Sequence, residues 1–172
     1  MTDEPDREGP VAGPGWLVSG LEDDIRPHMF AAADRGEPFA LATIVAADGG
    51  PRPVGAQMAV TETQAWGFLS GGCIEDDVAL NARETIADGK LRRLIYGEGS
   101  PFVDIRLPCG GRIEVAIERV EAGDVALAEL KRFTRERRPA VWASDGTKRS
   151  CQPVDDAPAD APIRKHYDPV QR

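Results

Sequence analysis

The chain has 172 residues and a formal net charge of −8, with 41% hydrophobic and only 6% aromatic residues. That length suits one domain with a core of small aliphatic side chains, and the negative charge disfavours a nucleic-acid partner, whose phosphates it would repel. No apolar run approaches the ~18 residues of a membrane span, and three cysteines build no disulfide framework, so the chain reads as cytoplasmic with free thiols.

Residues 1–15 are acidic and rich in Pro and Gly, and read as a disordered tail. From Gly20 to Arg35, Leu21, Ile25, Met29 and Ala33 recur at helical spacing, with Pro27 as a kink or a junction. "FALATIVAA" (Phe39 to Ala47) has the composition of a buried strand, and "DGGPRPVG" after it that of a loop. "QMAVT" (Gln57 to Thr61) and "AWGFLS" (Ala65 to Ser70) predict a hairpin. Ile74, Val78, Ala82 and Ile86 form one apolar stripe of a helix that Gly89 stops.

"LRRLIY" (Leu91 to Tyr96) and "FVDIRL" (Phe102 to Leu107) predict strands. "RIEVAIERV" (Arg112 to Val120) predicts another, with Ile113, Val115 and Ile117 inward and Glu114 and Glu118 outward. Asp124 is placed to cap a helix bearing Val125, Leu127, Leu130 and Phe133, and "PAVWAS" suggests a last strand. The expected class is α/β or α+β, a mixed sheet of five to seven strands with helices packed on it. Residues 16–145 form the single domain and 146–172 a polar, Pro-rich tail containing Cys151. No strand–G-x-G-x-x-G–helix unit is visible, so no Rossmann domain is expected.

Two of the cysteines sit beside paired glycines. In "SGGCIEDDV" (Ser70 to Val78) a strand gives way to a helix start through Gly71, Gly72 and Cys73. Glycines permit positive φ and close approach of a ligand to the backbone. A helix start offers unpaired N–H groups to an anion and lowers a thiol pKa. Glu75, Asp76 and Asp77 complement the helix dipole, with Glu75 also placed to meet a polar ligand group. "PCGGR" repeats the pattern with Cys109, Gly110 and Gly111. Arg52, held between Pro51 and Pro53, suits a phosphate or carboxylate. Taken singly, each cysteine also suits a small buried core position, and Arg52 a surface turn.

Three stretches, "ATIVAADGGPRPVGAQMAV", "GFLSGGCIEDDVALNA" and "CGGRIEVAIE", together resemble the N-terminal domain of the xanthine dehydrogenase accessory protein family (XdhC/CoxI) from about Gly36 to Glu118. Gly50 departs from the small hydroxyl residue more usual there. The resemblance implies a chaperone rather than an enzyme. Its cargo would be the molybdenum cofactor (molybdopterin), held while its metal centre is sulfurated and then delivered to a xanthine dehydrogenase-like or CO dehydrogenase-type apo-molybdoenzyme. By motif match the implied binding residues are Cys73, Gly71, Gly72 and Glu75; Cys109, Gly110 and Gly111; and Arg52, Gly55, Gln57 and Met58. Cys73 is the first candidate for contact with molybdenum or its sulfur ligand.

Further partners implied are a cysteine desulfurase, a cofactor nucleotidyltransferase, a separate Rossmann-domain chain, or a second copy in a homodimer. Three other readings compete: a thiol enzyme using Cys73, a zinc module joining Cys73 and Cys109 to a His or Cys (against which His28 and His166 lie far off in sequence), and a plain scaffold. The cluster "KRFTRERR" (Lys131 to Arg138) reads as a solvated helix end.

Overall fold

The computed structural model describes residues 23–50, 52–72, 74–98, 107 and 110–170. The expected N-terminal tail, Cys73, Cys109 and the expected strand 102–107 apart from Leu107 lie outside the described residues.

Helix α1 (Arg26–Asp34) carries Pro27 in its first turn, where the missing N–H costs nothing, so the proline starts the helix rather than kinking it. Strands β1 (Phe39–Asp48), β2 (Gln57–Val60) and β3 (Ala65–Gly67) form an antiparallel meander. Helix α2 (Glu75–Asp88) follows and ends at Gly89, whose φ of 72° closes the last turn onto the Thr85 carbonyl. Strands β4 (Arg92–Gly97) and β5 (Arg112–Val120) complete a five-stranded sheet in the order β3-β2-β1-β5-β4. Helix α3 (Val125–Glu136) is capped by Asp124, whose Oδ1 accepts from the N–H groups of Ala126 and Leu127, a contact that contributes about 1 kcal/mol.

The chain then forms β6 (Ala140–Ser144), β7 (Arg149–Gln152) and β8 (Ile163–Tyr167), a second antiparallel sheet in the order β7-β6-β8. This corrects the expectation of an unpacked tail after Asp145. Ile163, Cys151 and Tyr167 are buried, and they supply too few apolar positions to reveal the strands by composition. The α+β expectation holds, with β7 and β8 raising the strands among the described residues to eight.

Both faces of the large sheet are covered. Ala40, Ala42, Ile44, Val115 and Ile117 pack against Val78, Ala82 and Ile86 of α2. Phe39, Leu41, Ala59 and Val120 pack against Met29, Leu130 and Phe133 of the other helices and against Trp142 and Tyr167 of the small sheet. Double coverage explains why Glu118 points inward rather than to solvent. It is 1% exposed, and its Oε1 accepts from Arg149 Nε at 2.7 Å and from the Ser144 hydroxyl at 2.9 Å. Arg149 also donates to Asp124 Oδ2 at 2.8 Å, tying β5, the cap of α3 and β7 together.

Removing one partner of a buried ion pair strands the other charge, which costs about 3–5 kcal/mol. Arg149→Met is therefore expected to lower the unfolding free energy by that amount in urea denaturation. A loss under about 1 kcal/mol would show that the pair does not secure the small sheet.

Candidate functional site: three loops at one end of the sheet

Antiparallel order brings three connections to the same end of the large sheet. They are the β1–β2 loop (49–56), the segment from β3 to α2 (68–74) and the β4–β5 loop (98–111). These are the segments that carry the three sequence motifs. A β-bulge between Ile44 and Ala46 shifts the register of β1 just before it enters this end.

Glycines let two of the loops touch. A Cβ on Gly111 would stand 1.5 Å from the Gly49 carbonyl oxygen, and one on Gly97 would stand 2.0 Å from the Gly111 oxygen. No other residue type fits at these positions without moving backbone. The third loop is joined through Arg52, whose guanidinium lies over the Phe68 ring at 4.2 Å. A Cβ on Gly50 would meet Ile113 Cγ2 at 2.9 Å, so a side chain here would require Ile113 to shift.

The β3–α2 segment is organised by one carboxylate. Glu75 Oε1 accepts from the backbone N–H groups of Leu69, Ser70 and Gly71 at 2.9, 2.7 and 3.0 Å. Its Oε2 accepts from Gly72 and Ile74 N–H at 2.9 and 3.1 Å and from the Ser70 hydroxyl at 2.9 Å. Burial alone would raise this carboxyl, but the Ser70 and Leu69 donors more than offset it and hold it below the usual range. Gly71 and Gly72 adopt φ of 85° and 119°, which turns their N–H groups onto Glu75.

The N–H groups expected to await an external anion are thus already bonded to an internal one. Among the described residues the outer faces of Gly71, Gly72 and Gly110 are bare: a Cβ on any of them would have no heavy atom within 4 Å. The glycines offer a surface without side chains, against which a flat ligand can lie close to the backbone.

Other expected site residues fall elsewhere. Gln57 and Met58 are buried in β2. The Gln57 amide nitrogen donates to Thr43 Oγ1 at 3.0 Å, and its oxygen accepts from the Tyr167 hydroxyl. Met58 belongs to the core beneath α2. Gly55 is buried at φ 95°, beside Lys165 and the Arg164 carbonyl. Asp77 accepts from the Tyr96 hydroxyl at 2.5 Å, which fixes α2 to the end of β4. Cys151 is a core residue, its thiol pushed up to about 12 by burial and by Glu129. His28 stacks on Trp66, and His166 stands 3.3 Å from Asp168. Among the described residues no three His, Cys, Asp or Glu side chains are grouped to hold a metal.

Sequence reasoning gives no individual role to Phe68, Ser70, Gly49, Gly97 or Lys165. The signal available for Gly49 and Gly97 is their place at strand ends. Lys165 carries no signal, because its strand reads as tail.

The fold is that of an α+β domain with a glycine-built surface at one end of its large sheet. Residues 32–97 match the XdhC and CoxI family. It is 41% identical over 141 residues to the Molybdenum cofactor insertion chaperone PaoD of Escherichia coli K12, covering 78% of this chain and 44% of that protein. A crystal structure of a xanthine dehydrogenase from Bacillus halodurans shares the fold, with a TM-score of 0.60 at 20% identity over 85% of this chain and 53% of that one. The chain therefore spans about half the length of these relatives. No helix among the described residues is long and apolar enough to cross a membrane.

Two outcomes follow from this geometry. Glu75→Gln keeps the shape but removes the charge and half the acceptor capacity, and is expected to cost about 2–4 kcal/mol in thermal or urea unfolding. Because the folded carboxyl lies below its ordinary 4.5, its contribution is complete above that value and is lost as pH falls through the lowered folded value. The wild type should thus lose stability on acidification in a way that Glu75→Gln does not; parallel pH profiles would contradict the assignment. Gly111→Ala should cost about 3 kcal/mol, whereas Gly110→Ala, with open space around it but φ of 71°, should cost about 1 kcal/mol.

Proposed function

We propose that this chain is a molybdenum cofactor chaperone. It holds the cofactor as cargo and assists its sulfuration. It then passes the cofactor to a xanthine dehydrogenase-type apo-molybdoenzyme. The observation that carries the reading is the gathering of three motif loops at one end of the sheet, with the outer faces of Gly71, Gly72 and Gly110 bare. A planar pterin needs such a surface, because only a backbone without side chains lets a ring system approach closely over its whole face. The relative from Escherichia coli, named a molybdenum cofactor insertion chaperone, supports the same cargo.

In this reading the two loop cysteines supply soft sulfur ligands, matched to a metal already held by sulfur. Cys73 is assigned to molybdenum or its sulfur ligand, and Cys109 to the facing loop. Glu75 does not touch cargo: it presets the loop on which Cys73 is carried, so little ordering entropy remains to be lost when cargo binds. Arg52 addresses an anionic group from the third loop. The chain performs no turnover of its own; it binds, shields and releases. Cytoplasmic maturation of the cofactor fits this role. So do a cysteine desulfurase as sulfur donor, a nucleotidyltransferase as supplier, and a Rossmann-type partner or a second copy closing over the loops.

Cofactor retention through a desalting column tests the proposal. The wild type should retain cofactor and Cys73→Ala should retain about tenfold less, with folding checked by circular dichroism. Release by the wild type as fast as by serum albumin would overturn it.

A further inference from the structure

We propose that Arg52 and Lys165 form a phosphate-binding subsite beside the three loops, and that the Asp23 carboxylate occupies it until cargo arrives. The proposal deepens the chaperone reading and rests on it: the occupant is the terminal phosphate of the cofactor, and the added residue, Lys165, comes from the C-terminal sheet.

The geometry starts with Arg52. Its guanidinium is fixed over Phe68, its side chain is 21% exposed, and it is ion-paired with Asp23, whose side chain is 72% exposed. Arg52 Nε is buried without a hydrogen-bond partner among the described residues, so the fork has donor capacity left. Lys165 reaches the same place from β8: a Cβ on Gly55, three residues after Arg52, would meet Lys165 Cδ at 3.6 Å. The ammonium lies 5.8 Å from the Tyr167 ring centroid, which also carries Arg26 at 5.3 Å on its guanidinium carbon.

Arg26 is already neutralised, because its Nε and Nη2 donate to both oxygens of Asp24 at 2.8 Å. Lys165 is different. Burial lowers its affinity for a proton, Arg52 and Arg26 lower it further, and Asp23 and Asp24 act against them. One cation from a loop and one from a strand therefore stand together, with the exposed Asp23 carboxylate paired to Arg52. Like charges are not gathered in a half-buried place without a cost, and a dianionic phosphate offsets it better than one carboxylate. Asp23 stands in for one face of that phosphate. It lies before α1 and outside both sheets, so it can be displaced without disturbing them.

The subsite explains why the β1–β2 loop packs on β8. It also assigns a role to the small sheet, which otherwise only covers the core.

The experiment uses the full chain and two probes, inorganic phosphate and the molybdenum cofactor. Phosphate affinity is read by calorimetry and cofactor affinity by retention. Asp23→Asn should tighten both about tenfold, and Lys165→Met should weaken both about tenfold, with Lys165→Arg near wild type. A gain in Asp23→Asn cannot arise from misfolding, so it guards against a Lys165 variant that simply unfolds. Unchanged affinities in Asp23→Asn and Lys165→Met would overturn the subsite. If phosphate follows the predicted pattern while the wild type fails to retain cofactor, the subsite stands and the chaperone reading falls. If cofactor is retained with no dependence on Lys165, the subsite falls and the chaperone reading stands.

Discussion

The arrangement of this domain depends on the Glu75 carboxylate. One side chain at the first position of α2 accepts five backbone N–H groups from Leu69, Ser70, Gly71, Gly72 and Ile74. Leu69 is fully buried, and an unmet buried N–H costs about 1–3 kcal/mol. The carboxylate therefore decides the path of the chain from β3 into α2. It also decides which way Gly71 and Gly72 face: N–H groups inward, bare Cα atoms outward. The internal anion sets the path of the described loop residues, so the surface proposed for the ligand is formed without one.

The other two loops obey a steric constraint of the same severity. Gly111 lies against the Gly49 carbonyl and Gly97 against the Gly111 carbonyl, at separations that exclude any Cβ. Backbone contact between loops is the closest approach proteins allow, and it locks the β1–β2 loop to the start of β5. Arg52 then bridges from that loop to Phe68. Gly49, Gly97 and Gly111, together with Arg52 and Phe68, thus tie the described parts of this end of the sheet to one another.

Much of this is legible in the sequence, and the losses have physical causes. The α2 stripe, the Gly89 stop and the Asp124 cap are local signals, and they stand where periodicity and capping put them. The three glycine motifs read as one site, and the antiparallel order of the sheet does bring their loops to one end. Strands β7 and β8 escape a reading by composition because "RSCQ" and "IRKHY" are short and polar. Only Cys151, Ile163 and Tyr167 in them are buried. Glu118 is misplaced by alternation because that pattern assumes one wet face, whereas β5 is covered on both. Gln57 and Met58 belong to a motif by spacing but to the core by position. Glu75 stands out for the right reason, its closeness to the loop glycines, while its partner is the loop itself.

The most direct test of the account is amide hydrogen exchange on the chain with and without the molybdenum cofactor. Amides 49–56, 68–74 and 98–111 should exchange at least about tenfold more slowly in the complex, because a bound ligand suppresses their local opening. Amides of α3 and β6, away from the loops, should be unaffected. Protection confined to other segments, or none in these three loops while cofactor is bound, would contradict the assignment of the glycine rim as the binding surface.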